Sequence, residues 1–386
     1  MEIEENKILI SFNLTPKVEI KGSIKKEYFV EFIDQDTNKV IHSSSIQNGM
    51  WTSCNRRWYT NWLIKVNGKI AHKFNLKNKK VRISLESKAV GDTLAWLPQI
   101  LEFQKRYKCN LTVSTFHNSW FENHPPYGLI NFVPPGYIEN DFIRLPWYLN
   151  SNGNQSSQQD KFYAHFSLGW FKTNEKWDEG QYHLNQPNTI PLIQSASDML
   201  GLPFKEITYG LSSPILKRPF KEKYICIGPR ATAELKEWPY HYWPILAEGL
   251  VKKGYKVVSI SHEGFNQKNI VDKKGMKWED TINHLRHAEL FIGLGSGLSW
   301  VNWTLGKPTV MINNFVPNGF DFTQNNTKIE DHSVCNNCWA DKRFMFDKGK
   351  WDWCPRHQGT MSQHICHKAI KPETVLKKVL YLLKFK

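Results

Sequence analysis

Four cysteines lie close together near the C-terminus of a chain that has only seven. Cys335 and Cys338 are separated by two residues, and Cys354 and Cys366 follow. Thiolates are good ligands for soft transition metals, and two thiolates separated by two residues can bind one ion from a single turn. A shared ion would tie distant points of the chain together, so this cluster restricts the local fold more than any other feature. We expect a metal centre whose ligands are these four cysteines.

The cysteine spacing leaves the identity of the metal open. The second pair is not separated by two residues, unlike the pairs of a zinc ribbon or a rubredoxin. His357, His364 and His367 lie nearby in the sequence, and one of them could replace a thiolate. Four thiolates suit zinc and iron nearly equally. If all four cysteines bind, the ion has no open coordination position, and we expect its role to be structural.

The rest of the composition excludes several classes of protein. The other cysteines, Cys54, Cys109 and Cys226, are isolated in sequence, which fits a reducing cytoplasm better than a disulfide framework. No stretch approaches the ~20 apolar residues of a membrane span, and no signal peptide is visible. The net charge of +15 is scattered in short runs without interleaved aromatic residues. We therefore expect a cytoplasmic protein that does not bind nucleic acid.

The hydrophobic pattern divides the chain into three regions. Residues 1–86 show the period-two alternation of strands, and Asn67-Gly68 is a strong hairpin signal. Further along, strands and helices alternate, which indicates an α/β fold with parallel sheets. We expect a small β-barrel-like domain at 1–86, a Rossmann-like lobe at 87–215 and a second lobe at 216–386, with a metal finger inserted at 330–368.

A glycine-rich turn lies where a predicted strand at 290–293 gives way to a helix. Glycines allow backbone N–H groups to approach a phosphate, and the helix N-terminus adds partial positive charge. The turn is not a dinucleotide-binding motif, because Leu298 and Trp300 stand where its third glycine would be. A tight turn without a ligand is the alternative. The candidate binding residues are Leu294, Gly295, Ser296, Gly297 and Leu298.

A second candidate loop follows the predicted strand at 223–228. Open α/β sheets bind ligands beyond the carboxyl ends of their strands. Arg230 and Lys236 are natural partners for a diphosphate, with Thr232 as a hydroxyl donor. Lys236 would neutralise a leaving phosphate. The alternative is that both cations are solvated loop charges.

Asp92 lies where a predicted strand at 81–86 passes into a predicted helix at 92–107. A carboxylate at this point can cap the helix, and the residues alone favour that role. The other role is that of a general base facing a cleft. The helix N-terminus would stabilise the carboxylate anion, which could then accept a hydroxyl proton at neutral pH.

Taken together, these segments resemble the bacterial autotransporter heptosyltransferases, which glycosylate adhesins. More distantly, the chain is similar to the ADP-heptose:lipopolysaccharide heptosyltransferases. The resemblance covers nearly all of the chain, including an N-terminal β domain. The sequence Gly-Asp-Thr-Leu-Ala-Trp at 91–96 and the four-cysteine finger are the specific signals. They are joined by the Thr-Ala-x-x-Lys-x-Trp run at 232–238 and the Gly-Ser-Gly turn at 295–297.

The resemblance implies a GT-B-like glycosyltransferase with two Rossmann-like lobes around a cleft. It would transfer heptose from ADP-heptose to serine hydroxyls of an autotransporter passenger protein, with inversion at the sugar. Asp92 would be the general base, and Lys236 would bind the donor phosphate. The finger would bind one iron ion, with zinc as the alternative, and the enzyme would be a homo-oligomer in the form of a dodecameric ring. The other implied substrate-binding residues are Thr93, Arg230, Thr232, Trp238 and the turn at 294–298.

Two alternatives to protein glycosylation remain at this point. One is a lipopolysaccharide-type heptosyltransferase, with the same donor and a lipid-linked sugar as acceptor. The other is a non-enzymatic scaffold protein built around the metal finger. A Mg²⁺-dependent enzyme is not expected, because Asp34 and Asp36 fall in a predicted turn of the β domain and are badly placed to hold a donor-bound ion.

Overall fold

The computed structural model describes residues 6–135, 162–173, 176–177, 180–344 and 354–384. The polar segment at 150–160, for which the sequence predicts a loop, lies outside the described residues. The chain forms two compact units. Unit 1 contains residues 1–88, 96–187 and 194–205, and unit 2 contains residues 89–95, 188–193 and 206–386.

Unit 1 holds most of the strands of the chain. Its strands are, in chain order, β1 (Lys7–Asn13), β2 (Thr15–Lys21), β3 (Glu27–Asp34), β4 (Lys39–Gln47), β5 (Trp51–Ser53), β6 (Trp62–Val66), β7 (Lys69–Lys73), β8 (Lys80–Leu85), β9 (Asn110–Ser114), β10 (Asn131–Val133), β11 (Ala164–Leu168), β12 (Lys172–Thr173) and β13 (Lys176–Trp177). Two helices begin in unit 2 and continue into unit 1, namely α1 (Val90–Tyr107) and α2 (Leu192–Met199).

Unit 1 is organised around an open seven-stranded sheet with the order β10-β9-β8-β11-β1-β2-β5. The strands from β10 to β1 run parallel, whereas β2 and β5 join antiparallel. The strand order reverses between β8 and β11, because β9 and β10 extend the sheet on one side of β8 and β11 lies on the other. This reversal is the topological switch point of a doubly wound sheet.

The barrel-like domain expected for residues 1–86 is wrong for the described part of that segment. β1, β2, β5 and β8 belong to the seven-stranded sheet, and β3, β4, β6 and β7 form a separate antiparallel sheet with the order β4-β3-β6-β7. The reason is a long-range pairing: β1 lies parallel to β11, so the first strand extends a sheet instead of closing a barrel. The hairpin at Asn67-Gly68 is confirmed, since it joins β6 to β7 and both residues have positive φ.

Unit 2 is built on a six-stranded parallel sheet. Its strands are β14 (Tyr224–Gly228), β15 (Lys256–Ser259), β16 (Val271–Asp272), β17 (Phe291–Leu294), β18 (Thr309–Ile312) and β19 (Asn326–Ile329), and its helices are α3 (Tyr242–Val251), α4 (Trp278–His287), α5 (Gly297–Thr304), α6 (Ile365–Ala369) and α7 (Pro372–Lys384). The strand order β16-β15-β14-β17-β18-β19 is that of the doubly wound dinucleotide-binding fold. The predicted α/β fold is therefore confirmed here, although β16 and β19 were not predicted.

The core of unit 2 forms where α3 and α7 pack on this sheet. Val375 and Val379 of α7 are fully buried in the same cluster as the strand residues. The two helices approach closely, because a Cβ at Gly249 of α3 would lie 2.5 Å from Cδ2 of Leu376. The C-terminal helix α7 thus covers one face of the sheet. In the described part of the chain, no helix has the length and apolar character needed to cross a membrane.

Candidate active site at the carboxyl edge of the unit 2 sheet

The two loops singled out in the sequence leave neighbouring strands of unit 2. β14 ends at Gly228 and β17 ends at Leu294, and these strands pair directly. The strand order reverses between them, so both loops begin at the switch point. Ligands of open α/β sheets bind in the crevice outside the carboxyl ends of the strands at such a point. The structure therefore brings the predicted phosphate-binding segments together at one edge.

The glycine-rich turn presents backbone N–H groups and a buried hydroxyl. The carbonyl oxygen of Leu294 accepts hydrogen bonds from the backbone N–H of Ser296 at 2.7 Å and from Oγ of Ser299 at 2.6 Å. Ser296 is the N-cap residue of α5, and its Oγ is buried without a hydrogen-bond partner among the described residues. Buried hydroxyls normally have a partner. The turn is thus suited to an anionic ligand that accepts hydrogen bonds.

Two polar residues that the sequence analysis did not identify lie against this turn. A Cβ at Gly295 would lie 2.5 Å from Nδ2 of Asn313 and 3.6 Å from Oδ2 of Asp321. Asn313 donates to Asp321 at 3.0 Å. Burial raises the pKa of Asp321, whereas Lys328 and Lys236 lower it. Asn313 directly follows a buried strand at the ligand-binding edge, and this position was a signal that could have been used.

The start of α1 packs tightly against the start of α5. A Cβ at Gly91 would lie 2.9 Å from Cδ1 of Trp300, and a Cβ at Gly297 would lie 2.9 Å from Cβ of Val90. Each helix therefore needs a glycine where the other approaches it. This reciprocal contact places the first turn of α1, which carries Asp92, beside the glycine-rich turn.

Asp92 lies inside the first turn of α1 and is not its N-cap. The helix begins at Val90, two residues earlier than predicted, so Asp92 is its third residue. Asp92 is buried, with 8% of its surface exposed. Thr93 is fully buried, and its hydroxyl donates to the carbonyl oxygen of Ala89 at 3.4 Å. In the structure, Thr93 shapes the start of the helix.

Lys236 is influenced electrostatically by two carboxylates. It lies in the single helical turn Glu234–Lys236, within the loop that follows β14. Burial lowers the pKa of Lys236, and Asp321 and Asp92 oppose this shift. Its Nζ lies 5.8 Å from the centroid of the Phe315 ring. The structure therefore brings both Asp92 and Asp321 within electrostatic reach of Lys236.

The other residues of the second loop differ in their surroundings. Arg230 forms an ion pair with Glu237 at 3.2 Å and remains partly exposed, and Thr232 is exposed. Trp238 is 2% exposed in the core of unit 2, and its Nε1 donates to the carbonyl oxygen of Ile370 at 2.8 Å. The structure corrects the expectation that Trp238 contacts a substrate, because the loop has returned to the sheet at this residue. Leu298 packs against the end of β14, since its Cδ1 would lie 3.3 Å from a Cβ at Gly228.

The four clustered cysteines converge in the structure. Cys338, Cys354 and Cys366 are buried and Cys335 is half-buried, and all four are unpaired. Burial, with a smaller contribution from the other three thiols, raises the pKa of Cys366 to about 12. No group of three or more His, Cys, Asp or Glu side chains within the described ranges is arranged to hold a metal ion. The chemistry of the donor set nonetheless suits a soft metal, because Cys335, Cys338 and Cys354 all lie within electrostatic reach of Cys366.

One asparagine ties the cysteine region to the sheet. Asn314, which follows β18, donates to the carbonyl oxygen of Cys366 at 2.7 Å. Its Oδ1 accepts from the N–H of Asp331 at 3.0 Å, and its carbonyl oxygen accepts from the N–H of Asn337 at 2.8 Å. The N–H of Asn314 also donates to Nε2 of His367 at 3.4 Å. This residue was not predicted either, although it is the second residue after a buried strand.

Comparison with known proteins gives one family and several relatives. The profile of glycosyltransferase family 9 (heptosyltransferase) matches residues 196–315. The chain is 28% identical to the autotransporter heptosyltransferase Aah of Escherichia coli, over 91% of this chain and 88% of Aah. It is 26% identical to the inactive autotransporter heptosyltransferase BimC of Burkholderia thailandensis, over 90% of this chain and 80% of BimC.

A solved structure shows the same fold. The dodecameric iron-containing heptosyltransferase TibC from enterotoxigenic E. coli, in complex with ADP-D-β-D-heptose, superposes with a TM-score of 0.81 and 24% identity. The alignment covers 97% of this chain and 96% of TibC. The chain is thus similar to autotransporter heptosyltransferases over about nine-tenths of its length.

Proposed function

We propose that this chain transfers heptose from ADP-heptose to serine hydroxyls of an autotransporter adhesin. The observation that supports the proposal best is the shared location of Asp92, Lys236 and the glycine-rich turn in unit 2. A carboxylate, the ammonium group of a half-buried lysine and a helix N-terminus provide the base and the positive charge that glycosyl transfer to a hydroxyl requires. The relatives named as heptosyltransferases support the choice of donor and acceptor.

The proposed reaction is a single displacement. The carboxylate of Asp92 takes the proton of the serine Oγ, and this oxygen forms a bond to the anomeric carbon. The bond from that carbon to the diphosphate oxygen breaks, and ADP leaves with the bonding electrons. A single displacement inverts the anomeric centre. Lys236 and the N-terminal end of α5 stabilise the charge that develops on the diphosphate, so this proposal requires no Mg²⁺.

The substrate-binding roles follow from the surroundings of each residue. The backbone of the turn at 294–298 and the Oγ of Ser296 bind the diphosphate, whereas Arg230 and Thr232 contribute from the exposed loop. We place no substrate contact on Thr93 or Trp238, because both side chains are buried and bonded to backbone carbonyls.

The four cysteines are proposed to hold one iron ion in a structural finger, with zinc as the alternative. The supports are the converging thiols and the iron-containing relative TibC. A dodecamer, the assembly of TibC, is proposed for this chain as well. Light scattering on a sizing column would then give a mass twelve times that of the 45.2 kDa chain. A cytoplasmic location is proposed because all seven cysteines are unpaired.

The test is transfer of labelled heptose from ADP-heptose to a fragment of an autotransporter passenger. One relative, BimC, is an inactive autotransporter heptosyltransferase, so turnover by this chain is the first quantity to measure. Asp92→Asn should lower the turnover rate on the order of 100-fold or more while ADP binds with unchanged affinity. Wild-type turnover by that variant would rule out Asp92 as the base.

The same assay separates the two alternative functions. A lipopolysaccharide-type enzyme would use a lipid-linked sugar acceptor and leave the protein fragment unlabelled. A scaffold protein would release no ADP with either acceptor, and ADP would not raise its melting temperature.

A further inference from the structure

An exposed carboxylate at the edge of the unit 1 sheet is held by two buried hydroxyls. Glu86 directly follows β8, and its Oε1 accepts hydrogen bonds from Oγ of Ser84 at 2.8 Å and Oγ of Ser167 at 3.0 Å. The two serines lie on the adjacent strands β8 and β11, and both are buried. Two hydroxyls on one oxygen fix the plane of the carboxylate and leave Oε2 for a ligand.

A row of buried polar groups stands behind this carboxylate. Oγ of Ser84 lies 3.1 Å from Nε2 of His165, and Nδ1 of that ring lies 3.1 Å from Oδ1 of Asn13. Burial holds the pKa of His165 well below its ordinary value, so its imidazole is neutral. The row crosses β8, β11 and β1 inside the sheet. Apolar residues would fill these positions at lower cost, which indicates that the row serves the group at its exposed end.

Glu86 occupies the switch point of unit 1. The strand order of the seven-stranded sheet reverses between β8 and β11, and Glu86 stands at the carboxyl end of β8. An aromatic ring flanks it, because a Cβ at Gly169 would meet both Cβ of Glu86 at 3.0 Å and Cζ of Phe171 at 3.1 Å. This is the position at which an open α/β sheet binds a ligand.

The charge of Glu86 decides which kind of ligand fits. A carboxylate repels a diphosphate or an acidic sugar, and it accepts hydrogen bonds from N–H and O–H groups. An extended polypeptide rich in hydroxyl residues presents such donors, and its side chains can pack against the ring of Phe171. The site proposed for the diphosphate is instead the glycine-rich turn at the carboxyl edge of the unit 2 sheet.

We propose that Glu86 binds the polypeptide acceptor, with Oε2 accepting a hydrogen bond from a backbone N–H or hydroxyl of the segment to be modified. Ser84 and Ser167 act as positioning residues, because they fix the orientation of the carboxylate. The proposal rests on the proposed function and adds to it the residue that selects a protein acceptor over an anionic, lipid-linked one.

The first test measures binding without turnover. The autotransporter fragment is titrated into the full-length protein in the presence of ADP, and its Kd is measured by calorimetry. Glu86→Ala should weaken binding of the fragment about tenfold or more, and Glu86→Gln, which keeps an acceptor oxygen, should weaken it less. The double variant S84A/S167A should resemble Glu86→Gln. The matched control is Glu122→Gln, since Glu122 is also an exposed residue of unit 1.

The second test uses the labelled-heptose assay. Glu86→Ala should raise KM for the fragment about tenfold, with KM for ADP-heptose and kcat changed less than about threefold. The fold should survive, because Ser84 still lies 3.3 Å from Ser167 and 3.1 Å from His165. An unchanged melting temperature checks this. Wild-type affinity for the fragment in Glu86→Ala overturns the inference, whereas absence of transfer by the wild-type protein overturns the proposed function.

Discussion

The side chain of Asn314 donates a 2.7 Å hydrogen bond to the backbone carbonyl oxygen of Cys366. The preceding residue, Asn313, donates to Asp321 beside the glycine-rich turn at 3.0 Å. Two consecutive residues after β18 thus face in two directions, one toward the cysteines and one toward the candidate active site. The cysteine region therefore braces the edge of the sheet on which the proposed donor site is built.

Replacing Asn314 should weaken the connection between the cysteine region and the sheet. In Asn314→Ala the carbonyl of Cys366 and the N–H of Asp331 lose their partner, and each buried group left unsatisfied costs about 1–3 kcal/mol. We expect a lower melting temperature and a lower metal content, measured by circular dichroism and elemental analysis. Asn55→Ala is the control, because Asn55 is exposed. If Asn314→Ala melted like this control and kept its metal, the bracing role would be wrong.

Removal of one of the four clustered thiols should release the metal and destabilise the protein, without a direct effect on the heptose-transfer step. Cys338→Ala is expected to lose the proposed ion, to melt at a lower temperature and to assemble poorly, because binding of a structural metal contributes to folding. Cys109→Ala removes another buried cysteine and should keep the metal. Elemental analysis of the wild-type protein distinguishes iron from zinc. A Cys338→Ala protein that stayed stable and assembled but lost turnover would indicate a catalytic metal instead.

The sequence predicted unit 2 well and unit 1 poorly, for a physical reason. Strands that alternate with helices along the chain, such as β14, β15, β17 and β18, are encoded by local periodicity. The pairing of β1 with β11 joins residues as distant as Asn13 and His165, which are 152 positions apart, and local patterns do not record it. Asp321 and Asn314 were missed because single polar residues form no motif. Trp238 was misassigned because its motif does not show whether the ring faces the site or the core.

Lys236 should set the alkaline limit of activity. Burial lowers its pKa below the ordinary lysine value of 10.5, and the neutral amine that forms above that pKa cannot stabilise a leaving diphosphate. We expect kcat/KM for ADP-heptose to fall as pH rises through a value below 10.5. In Lys236→Arg this fall should move to higher pH, since the guanidinium group stays charged.

The neutral variant supplies the control for this pH profile. Lys236→Met should lower kcat by ~100-fold at neutral pH, as expected for loss of a group that stabilises the transition state, and should abolish the alkaline fall. If the fall persisted unchanged in Lys236→Met, another group would be responsible for it.

The reciprocal packing of Gly91 and Gly297 should tolerate no side chain. A Cβ at Gly91 would lie 2.9 Å from the ring of Trp300, which is itself buried and cannot retreat into solvent. Gly91→Ala must therefore separate the first turn of α1 from α5, at a cost of about 1–3 kcal/mol. The same displacement would carry Asp92 away from the glycine-rich turn. We expect turnover to fall more than ADP affinity does, because the turn proposed to bind ADP stays intact while the proposed base moves.

Gly128→Ala is the matched control. Its new Cβ would meet the carbonyl oxygen of Pro125 at 3.4 Å, an ordinary contact distance, so its kinetics should equal those of the wild type. Equal kinetics in Gly91→Ala would show that the close contact between the two helices does not position Asp92.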